Sequence, residues 1–116
     1  IFMKTTKEPS SPLISIIVRT KNEERWIDHC LSAITTQSIK DYEIVLVDNN
    51  SDDKSVKIAK KYTDKIVNIT DFYPGKAIND GIRASSGKFL VIISGHCIPK
   101  NNMWLEHLIE PLKNDR

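Results

Sequence analysis

The sequence predicts an α/β fold, a mainly parallel sheet with helices on both faces, and three observations lead to this prediction. Four apolar runs rich in β-branched residues alternate along the chain with segments in which apolar residues recur at helical spacing. The run at residues 89–93 is apolar throughout, as strands covered on both faces of a sheet are. Short polar segments follow the runs, and in parallel sheets ligands bind outside the C-terminal ends of the strands.

The first strand and the first helix are predicted from residues 13–38. The run "LISIIVRT" forms the strand, and Asn22 then caps a helix that has Glu23 and Glu24 in its first turn. The apolar face of this helix consists of Trp26, Ile27, Cys30, Leu31 and Ile34. A strand followed directly by a helix is the first part of a right-handed βαβ unit.

The same scheme is repeated in the middle of the chain. "YEIVLVDNNSDD" combines an apolar strand with a polar turn, and it leads into a second helix. The apolar residues of that helix are Val56, Ala59 and Tyr62. "KIVNI" is a third, shorter strand.

The last part of the chain predicts two more helices and a fourth strand. "DFYPGKAINDGIRASSG" indicates a loop and a third helix, with a proline near the helix start and a glycine past its end. "GKFLVIISGHCIPK" contains the fourth strand. Asn101 or Asn102 then caps a last helix that has Pro111 close to its end. The apolar stripe of this helix consists of Trp104, Leu105, Leu108 and Ile109.

Length and charge predict one domain without special affinity for nucleic acid. A chain of 116 residues forms one core, and we assign the domain to residues 13–116, after a flexible lead-in at residues 1–12. Lysine and arginine number 17 against 15 aspartate and glutamate, and the charges are interspersed, so no basic patch favours nucleic acid.

Cysteine content and hydropathy bear on the location of the protein. The two cysteines, Cys30 and Cys97, lie far apart and outside any metal-binding spacing, which favours a reduced, cytoplasmic compartment. No apolar run approaches the roughly 20 residues that cross a bilayer, so no transmembrane segment is predicted. A peripheral position at the inner face of the membrane stays open.

Four polar segments are predicted to meet at one edge of the sheet: "RTKNEE", "DNNSDD", "ITDFYPGK" and "SGHC". Asp48 could bind a base or a ribose, or it could simply form an Asx-type turn with Ser51. Lys76, beside Gly75 at a helix start, suits a phosphate, although most lysines are solvated surface groups. His96, at the end of a buried strand, could donate a hydrogen bond, hold charge or bind a metal, or it could be structural.

The ordered set of segments resembles the N-terminal, nucleotide-sugar-binding half of family 2 glycosyltransferases with the GT-A fold. "ISIIVRTKNEERWIDHCLSAITTQSIKDYEIVLVDNNSDD" is similar to the opening of that family, and "GKAINDGIRASSGKFLVIISGHCIP" is similar to its next block. The resemblance extends from about residue 13 to residue 112. It implies a Rossmann-like, nucleotide-binding half of the fold and an inverting transferase that acts in polysaccharide or glycoconjugate biosynthesis.

The resemblance also implies a donor site for a uridine or thymidine diphosphate sugar. By position, Thr20, Asn22 and Glu23 would line the base and the ribose, and Asp48 and Asn49 would contact the nucleoside. Lys76 and Asn79 would approach the sugar or the diphosphate, and Ser94, Gly95 and His96 occupy the position of the DxD motif. The implied acceptor is a saccharide or a lipid-linked saccharide.

Three positions depart from the family pattern. Asn49 stands where a second aspartate is common, and Lys21 stands where an aromatic residue is common. Both DxD carboxylates are missing from "SGH". In the family the last of these acids helps to hold a divalent cation against the diphosphate. We therefore expect any cation here to be manganese in preference to magnesium, bound through His96, unless protonated His96 contacts the phosphate directly.

The sequence leaves two alternatives to an active glycosyltransferase. Inverting members take their catalytic carboxylate from the half of the fold that follows, so we expect the chain as given to be an inactive, truncated part of the enzyme. A non-catalytic nucleotide-sugar-binding module would also fit the missing carboxylates and the missing second half. A receiver-like signalling domain fits poorly, because such domains have an acidic pair after the first strand, where this chain has Arg19 and Thr20.

Overall fold

The computed structural model describes residues 2–4, 11–70 and 75–113, and for residues 2–4 it describes the backbone alone. The predicted segment "ITDFYPGK" therefore falls partly outside the described residues, since residues 71–74 are not among them. The same holds for most of the lead-in predicted at residues 1–12. No helix within the described ranges is long and apolar enough to span a membrane.

The described residues form five strands and four helices. The strands are β1 (Phe2–Lys4), β2 (Ile14–Thr20), β3 (Tyr42–Asn49), β4 (Ile66–Ile69) and β5 (Phe89–Ser94). The helices are α1 (Ile27–Thr35), α2 (Ser55–Ala59), α3 (Lys76–Ala84) and α4 (Trp104–Lys113). All four predicted strands and all four predicted helices are confirmed. Strand β1 differs from the expectation, because the sequence predicts no element in the lead-in.

The strands form one sheet in the order β1-β5-β2-β3-β4. Strands β5, β2, β3 and β4 are parallel neighbours, and β1 pairs with β5 in the antiparallel sense. The predicted fold class, a mainly parallel sheet with helices on both faces, is confirmed. The chain runs from β2 outward to β4 and then returns to the other side of β2, so the strand order reverses between β2 and β5. Sheets of this kind bind ligands at such a reversal.

Two apolar clusters cover the two faces of the sheet. On one face, β2 residues such as Ile16 and Val18 pack with helices α1 and α4, including Leu31 and Leu105. On the other face, a smaller cluster contains Ile17, Val45, Val47, Ile92 and α3's Ala77. Burying one such aliphatic side chain stabilises the fold by about 1.5–3 kcal/mol.

Alternation along β2 decides which face each residue at the strand end belongs to. Successive side chains of a strand point to opposite faces. Thr20 therefore continues the row of Val18, on the side of α1, and Arg19 continues the row of Ile17, on the side of α3. The last two residues of β2 thus face opposite sides of the sheet edge at which the polar segments were predicted to meet.

The helix starts test two predicted caps. The expectation that Asn22 caps α1 is wrong: the helix begins at Ile27 after Trp26, without a side-chain cap. Asn22 has a left-handed backbone (φ 50°), and its Oδ1 accepts a hydrogen bond from the backbone N–H of Asp52 at 2.7 Å. Asn101 caps the turn that leads into α4: its Oδ1 accepts from the N–H of Met103 at 2.9 Å, one residue before the helix begins at Trp104.

Candidate nucleotide-sugar site

A cleft of about 260 Å³ lies at the C-terminal ends of β2, β3 and β5. Its position is the point at which the strand order reverses. Five of the residues predicted for the site line it: Thr20, Glu23, Asn49, Ser94 and His96. The prediction that the strand ends converge on a single cleft is thus met for β2, β3 and β5.

Thr20 supplies an unpaired polar group at the bottom of the cleft. The residue is 3% exposed, and its Oγ1 is a buried side-chain oxygen without a hydrogen-bond partner among the described residues. Leaving a buried hydroxyl unpaired costs about 1–3 kcal/mol. A ligand that hydrogen-bonds to Thr20 would recover that cost, which is the strongest indication of a binding function in this cleft.

Gly95 allows the chain after β5 to approach Thr20 closely. A Cβ at this position would lie 2.9 Å from the Thr20 Oγ1 and 3.2 Å from the Cδ1 of Ile27. The N–H of Gly95 also donates to the carbonyl oxygen of Arg19 at 2.8 Å, which extends the pairing of β5 with β2 by one residue. Any larger residue would displace the Thr20 side chain, so Gly95 acts through the shape of the cleft floor.

Glu23, Ser94 and His96 form a polar cluster at one wall. The Nδ1 of His96 lies 3.1 Å from a carboxylate oxygen of Glu23 and 3.0 Å from the hydroxyl of Ser94. The side chain of Glu23 is 19% exposed and that of His96 is 63% exposed. The N–H of Glu23 donates to the hydroxyl of Ser55 at 2.8 Å, so the start of α2 fixes the loop that holds Glu23.

Asp48 is the penultimate residue of β3, its side chain bonds to the turn that follows the strand, and it is not among the residues that line the cleft. Its two carboxylate oxygens accept hydrogen bonds from Ser51, at 3.0 Å from the N–H and at 2.6 Å from the hydroxyl. The alternative in which Asp48 forms an Asx-type turn is therefore the geometry found. The turn orients the next residue, Asn49, whose side chain lines the cleft.

The loops after β2 and β3 are joined by hydrogen bonds. Beyond the bond to Asp52, the N–H of Asn22 donates to the hydroxyl of Ser51 at 2.9 Å. The Nζ of Lys21 donates to the carbonyl oxygen of Asn50 at 2.9 Å. Asn22 therefore fixes the relative position of the two loops, and Lys21 is one of the residues that line the cleft.

Lys76 and Asn79 lie on the first turns of α3 but do not line the cleft. The Nζ of Lys76 forms an ion pair with the Oδ2 of Asp80 at 3.0 Å, and Arg83 pairs with the other oxygen of Asp80. The hydrogen bond from Lys76, together with that from Arg83, lowers the pKa of Asp80. Lys76 is thus engaged on its own helix, and Asn79 is exposed.

Arg19, Val47 and Ala77 line the cleft and were not predicted as site residues. Val47 and Ala77 are apolar wall residues that no motif marks. Arg19 did give a signal, because a charged residue at the end of an otherwise apolar run is costly unless its side chain reaches solvent or a ligand. Arg19 is the one exposed residue of β2, whose other residues are all buried.

The described residues of the cleft do not provide the usual ligands of a hard divalent cation. Magnesium and manganese prefer carboxylate and other oxygen ligands. At the end of β5, Ser94, Gly95 and His96 offer one hydroxyl and one imidazole. Within the described residues there is no group of three or more histidine, cysteine, aspartate or glutamate residues that could hold a metal ion. Glu23 and His96 are a pair of candidate ligands and no more.

Both cysteines are free, and Cys30 lies near Ser94 at this wall. Cys30 is fully buried in the larger apolar cluster, as its position on the apolar face of α1 predicts. Burial, with smaller effects from Cys97 and Glu23, raises the pKa of the Cys30 thiol to about 12. Cys30 therefore stays a neutral thiol and is a core residue without a chemical role in the cleft.

The sequence profile of glycosyl transferase family 2 matches residues 15–116, and the chain belongs to this family. Among similar curated proteins are a glycosyltransferase of Haloferax volcanii, AglE, and a Methanococcus voltae enzyme named dolichyl N-acetyl-alpha-D-glucosaminyl phosphate 3-beta-D-2,3-diacetamido-2,3-dideoxy-beta-D-glucuronosyltransferase. The first is 37% identical over 103 residues, with 82% of this chain and 34% of the relative covered. The second is 34% identical over 106 residues, with 84% and 33% covered.

Solved structures show the same fold. Residues 1–349 of S. aureus TarS, in complex with UDP-GlcNAc, match with a TM-score of 0.76 and 25% identity, covering 87% of this chain and 31% of that one. A Pyrobaculum calidifontis mannosyltransferase, PcManGT, in complex with GDP-Man and Mn²⁺, matches with a TM-score of 0.81 and 22% identity, covering 94% and 35%. The chain thus spans about a third of the length of the relatives it matches.

Proposed function

We propose that this cleft binds a nucleoside diphosphate sugar and that the protein transfers the sugar to an acceptor hydroxyl with inversion. The single observation that supports the proposal most is the unpaired, buried hydroxyl of Thr20 at the strand-order reversal of a family 2 fold. A preformed cleft with apolar walls and a few convergent polar groups is the usual form of a small-molecule site.

The side chains suggest that the nucleoside and the diphosphate of the donor bind at opposite ends of the cleft. We assign the nucleoside to the side of Thr20 and Asn49, since a hydroxyl and an amide can pair with both donors and acceptors of a base or a ribose. We assign the phosphates to the side of Ser94 and His96. Asn22 and Asp48 would act indirectly, by holding the loops that bear Glu23 and Asn49.

Lys76 and Asn79 require a change of conformation to reach the donor. Lys76 would have to exchange its ion pair with Asp80 for a phosphate. A phosphate has more charge than one carboxylate and attracts an ammonium group more strongly at the start of a helix. Their assignment to the sugar or the diphosphate stays a prediction.

The proposal for the acceptor and the pathway is supported by the relatives alone. The name of the M. voltae relative describes transfer to a dolichyl phosphate-linked sugar, and TarS was solved with UDP-GlcNAc. We propose a saccharide or a lipid-linked saccharide as acceptor, within polysaccharide or glycoconjugate biosynthesis. A cytoplasmic location and a uridine or thymidine base likewise stay predictions.

His96 is proposed to contact the diphosphate of the donor. An imidazole can donate a hydrogen bond to a phosphate oxygen, and the nearby carboxylate of Glu23 would orient the ring. Calorimetric titration of a His96→Ala variant with UDP-GlcNAc, in EDTA and with manganese, tests the assignment. We expect weaker binding in both conditions. An affinity equal to that of the unaltered chain in both would refute a role for His96.

Two experiments test the function as a whole. Titration of the 116-residue chain with UDP, dTDP, GDP and ADP should give saturable binding of at least one of the first three. Assays of the full-length gene product with the matching nucleotide sugar should then show transfer, or hydrolysis of the donor. Binding without turnover in the full-length product would favour the alternative, a non-catalytic nucleotide-sugar-binding module. Absence of all nucleotide binding would refute both.

A further inference from the structure

We propose that Arg19 binds the diphosphate of the donor directly and takes the place of the divalent cation that the missing carboxylates would hold. The inference rests on the proposed function, since it concerns how the same cleft binds its donor. It extends that function by naming the group that neutralises the leaving diphosphate and by predicting that donor binding needs no metal.

Arg19 occupies an exposed position near the C-terminal end of β2. Six of the seven residues of β2 are buried, and Arg19 is the exception. Arg19 is one of the residues that line the cleft. In the sheet it is paired with Ser94, the first residue of the variant "SGH" segment, and its carbonyl oxygen accepts the hydrogen bond from Gly95. Arg19 therefore lies on the strand next to Ser94, the start of the segment at which the family holds its cation.

Arg19 lies on the face of the sheet that helix α3 covers. Arg19 continues the row of Ile17, on the side covered by α3, and Ala77 of α3 lines the same cleft. Helix α3 has nine residues, and the N–H groups of its first turn have no acceptor within the helix. Those N–H groups and the positive end of the helix dipole favour an anion next to the guanidinium.

The other charged side chains of the cleft have partners within the protein. Lys21 donates to a backbone carbonyl, and the carboxylate of Glu23 faces His96. Within the part of the chain that the structure describes, no carboxylate pairs with Arg19. Arg19 is thus available for an anionic ligand, and a planar guanidinium can bind phosphate oxygens through two parallel hydrogen bonds.

The described residues provide a poor set of ligands for a divalent cation, and Arg19 has no carboxylate partner among them. Both observations indicate that Arg19 neutralises the diphosphate. A divalent cation and a fixed guanidinium both neutralise a diphosphate, and a site needs one of them for the leaving group to depart. Among the described residues this cleft offers one carboxylate, that of Glu23, which faces His96, and it has a guanidinium beside the same position. Arg19 therefore does here what the cation does in members with two DxD acids.

The test compares three ligands in EDTA: uridine, UDP and inorganic pyrophosphate. For the unaltered chain we expect UDP to bind at least tenfold more tightly than uridine, and manganese to leave its affinity unchanged within a factor of two. Arg19→Met should weaken UDP and pyrophosphate by about tenfold or more and leave uridine unchanged, since one charge-assisted contact is worth about 1.5–3 kcal/mol. Arg19→Lys should restore part of the loss. Arg25→Met, which removes an exposed arginine packed on Trp26, is the matched control and should bind like the unaltered chain.

Three outcomes would overturn the inference. The first is UDP binding that is lost in EDTA and restored by manganese. The second is an equal loss of uridine affinity and UDP affinity in Arg19→Met, because such a result would indicate that Arg19 contacts the base. The third is no binding of either UDP or pyrophosphate to the unaltered chain. Pyrophosphate bound through Arg19 without any nucleotide binding would preserve the anion site and refute the proposed function instead, so the two failures are distinguishable.

Discussion

The Nδ1 of His96 lies 3.1 Å from a carboxylate oxygen of Glu23, across the wall of the cleft at the strand-order reversal. The two residues are 73 positions apart in the sequence, and β2 and β5 bring them together. The carboxylate of this wall therefore comes from the loop after β2, and the imidazole comes from the turn after β5.

A His96→Asp variant should gain a response to manganese. The substitution places a second carboxylate next to that of Glu23, and two close carboxylates repel each other unless a cation lies between them. We expect the melting temperature of the variant to rise by several degrees with manganese, while that of the unaltered chain does not change. His107→Asp, at an exposed position of α4, is the control. An equal shift in both variants would mean non-specific metal binding.

A Thr20→Val variant should separate ligand binding from stability. The change removes an unpaired buried hydroxyl, so the free energy of unfolding should stay equal or rise slightly, whereas UDP affinity should fall about tenfold. Thr63→Val is the matched control. The hydroxyl of Thr63 donates to the carbonyl of Ile44 at 2.6 Å, so its loss should cost about 1–3 kcal/mol of stability without altering UDP affinity. Unchanged UDP affinity in Thr20→Val would remove the main support for the site.

An Asp80→Asn variant should increase UDP affinity a few-fold if Lys76 is a phosphate ligand. The variant weakens the ion pair that holds Lys76 on α3, so the ammonium group becomes available to the donor. Calorimetric titration with UDP measures the effect. Asp41→Asn removes the same charge just before β3, at the end of the sheet away from the cleft, and should change nothing. An unchanged affinity in Asp80→Asn would exclude Lys76 from the donor site.

The carboxylate of Glu43 should stabilise the opposite end of the sheet in a pH-dependent manner. It accepts hydrogen bonds from Ser15 at 2.5 Å, from Lys65 at 2.5 Å and from the N–H of Ser86 at 2.7 Å. Burial alone would raise its pKa, but these bonds outweigh burial and lower the pKa below the ordinary value of 4.5. A carboxyl group with a lowered pKa in the folded state stabilises above its unfolded pKa, and the benefit is lost as the pH falls through the folded pKa.

Glu43→Gln should therefore destabilise the protein by about 1–3 kcal/mol at pH 7. The difference from the unaltered chain should shrink as the pH is lowered below the ordinary carboxyl pKa. Urea unfolding over a series of pH values measures both effects. Glu106→Gln, which loses one exposed contact with Ser38 at 3.4 Å, should show neither. A difference between Glu43→Gln and the unaltered chain that stays constant down to acid pH would show that the charge of Glu43 has no part in it.

The order of the elements was predictable because each depends on a local pattern. The apolar runs, the helical spacing of residues such as Leu31 and Leu105, and the cap at Asn101 are all visible within a few neighbouring residues. The short strand β1 was not, because its three residues gain their partner from the distant strand β5. Pairing with a remote strand leaves no periodic signal in so short a segment.

The candidate site was predictable as a set of segments but not as a set of contacts. The strand ends indicated His96 and the polar segments, since polar residues after buried strands meet at one edge of a parallel sheet, and the family resemblance singled out Thr20 and Asn49 within those segments. The carboxylate of Asp48 bonds to Ser51 in the turn that follows it. A ligand and the local turn compete for such a carboxylate, and the sequence predicts both partners. Arg19 was missed because its importance depends on which face β2 presents to α3, and that is a property of the assembled sheet.

The most direct test of the donor site is amide chemical-shift mapping of the 116-residue chain with UDP. A second cavity, of about 390 Å³, lies at the other end of the sheet and is lined by residues that include Tyr42, Thr63 and Lys65. It serves as an internal control. We expect saturable shifts centred on Thr20 and His96 and none around that cavity. Shifts centred on Tyr42 and Lys65, or the absence of saturable shifts anywhere, would contradict the assignment of the cleft as the donor site.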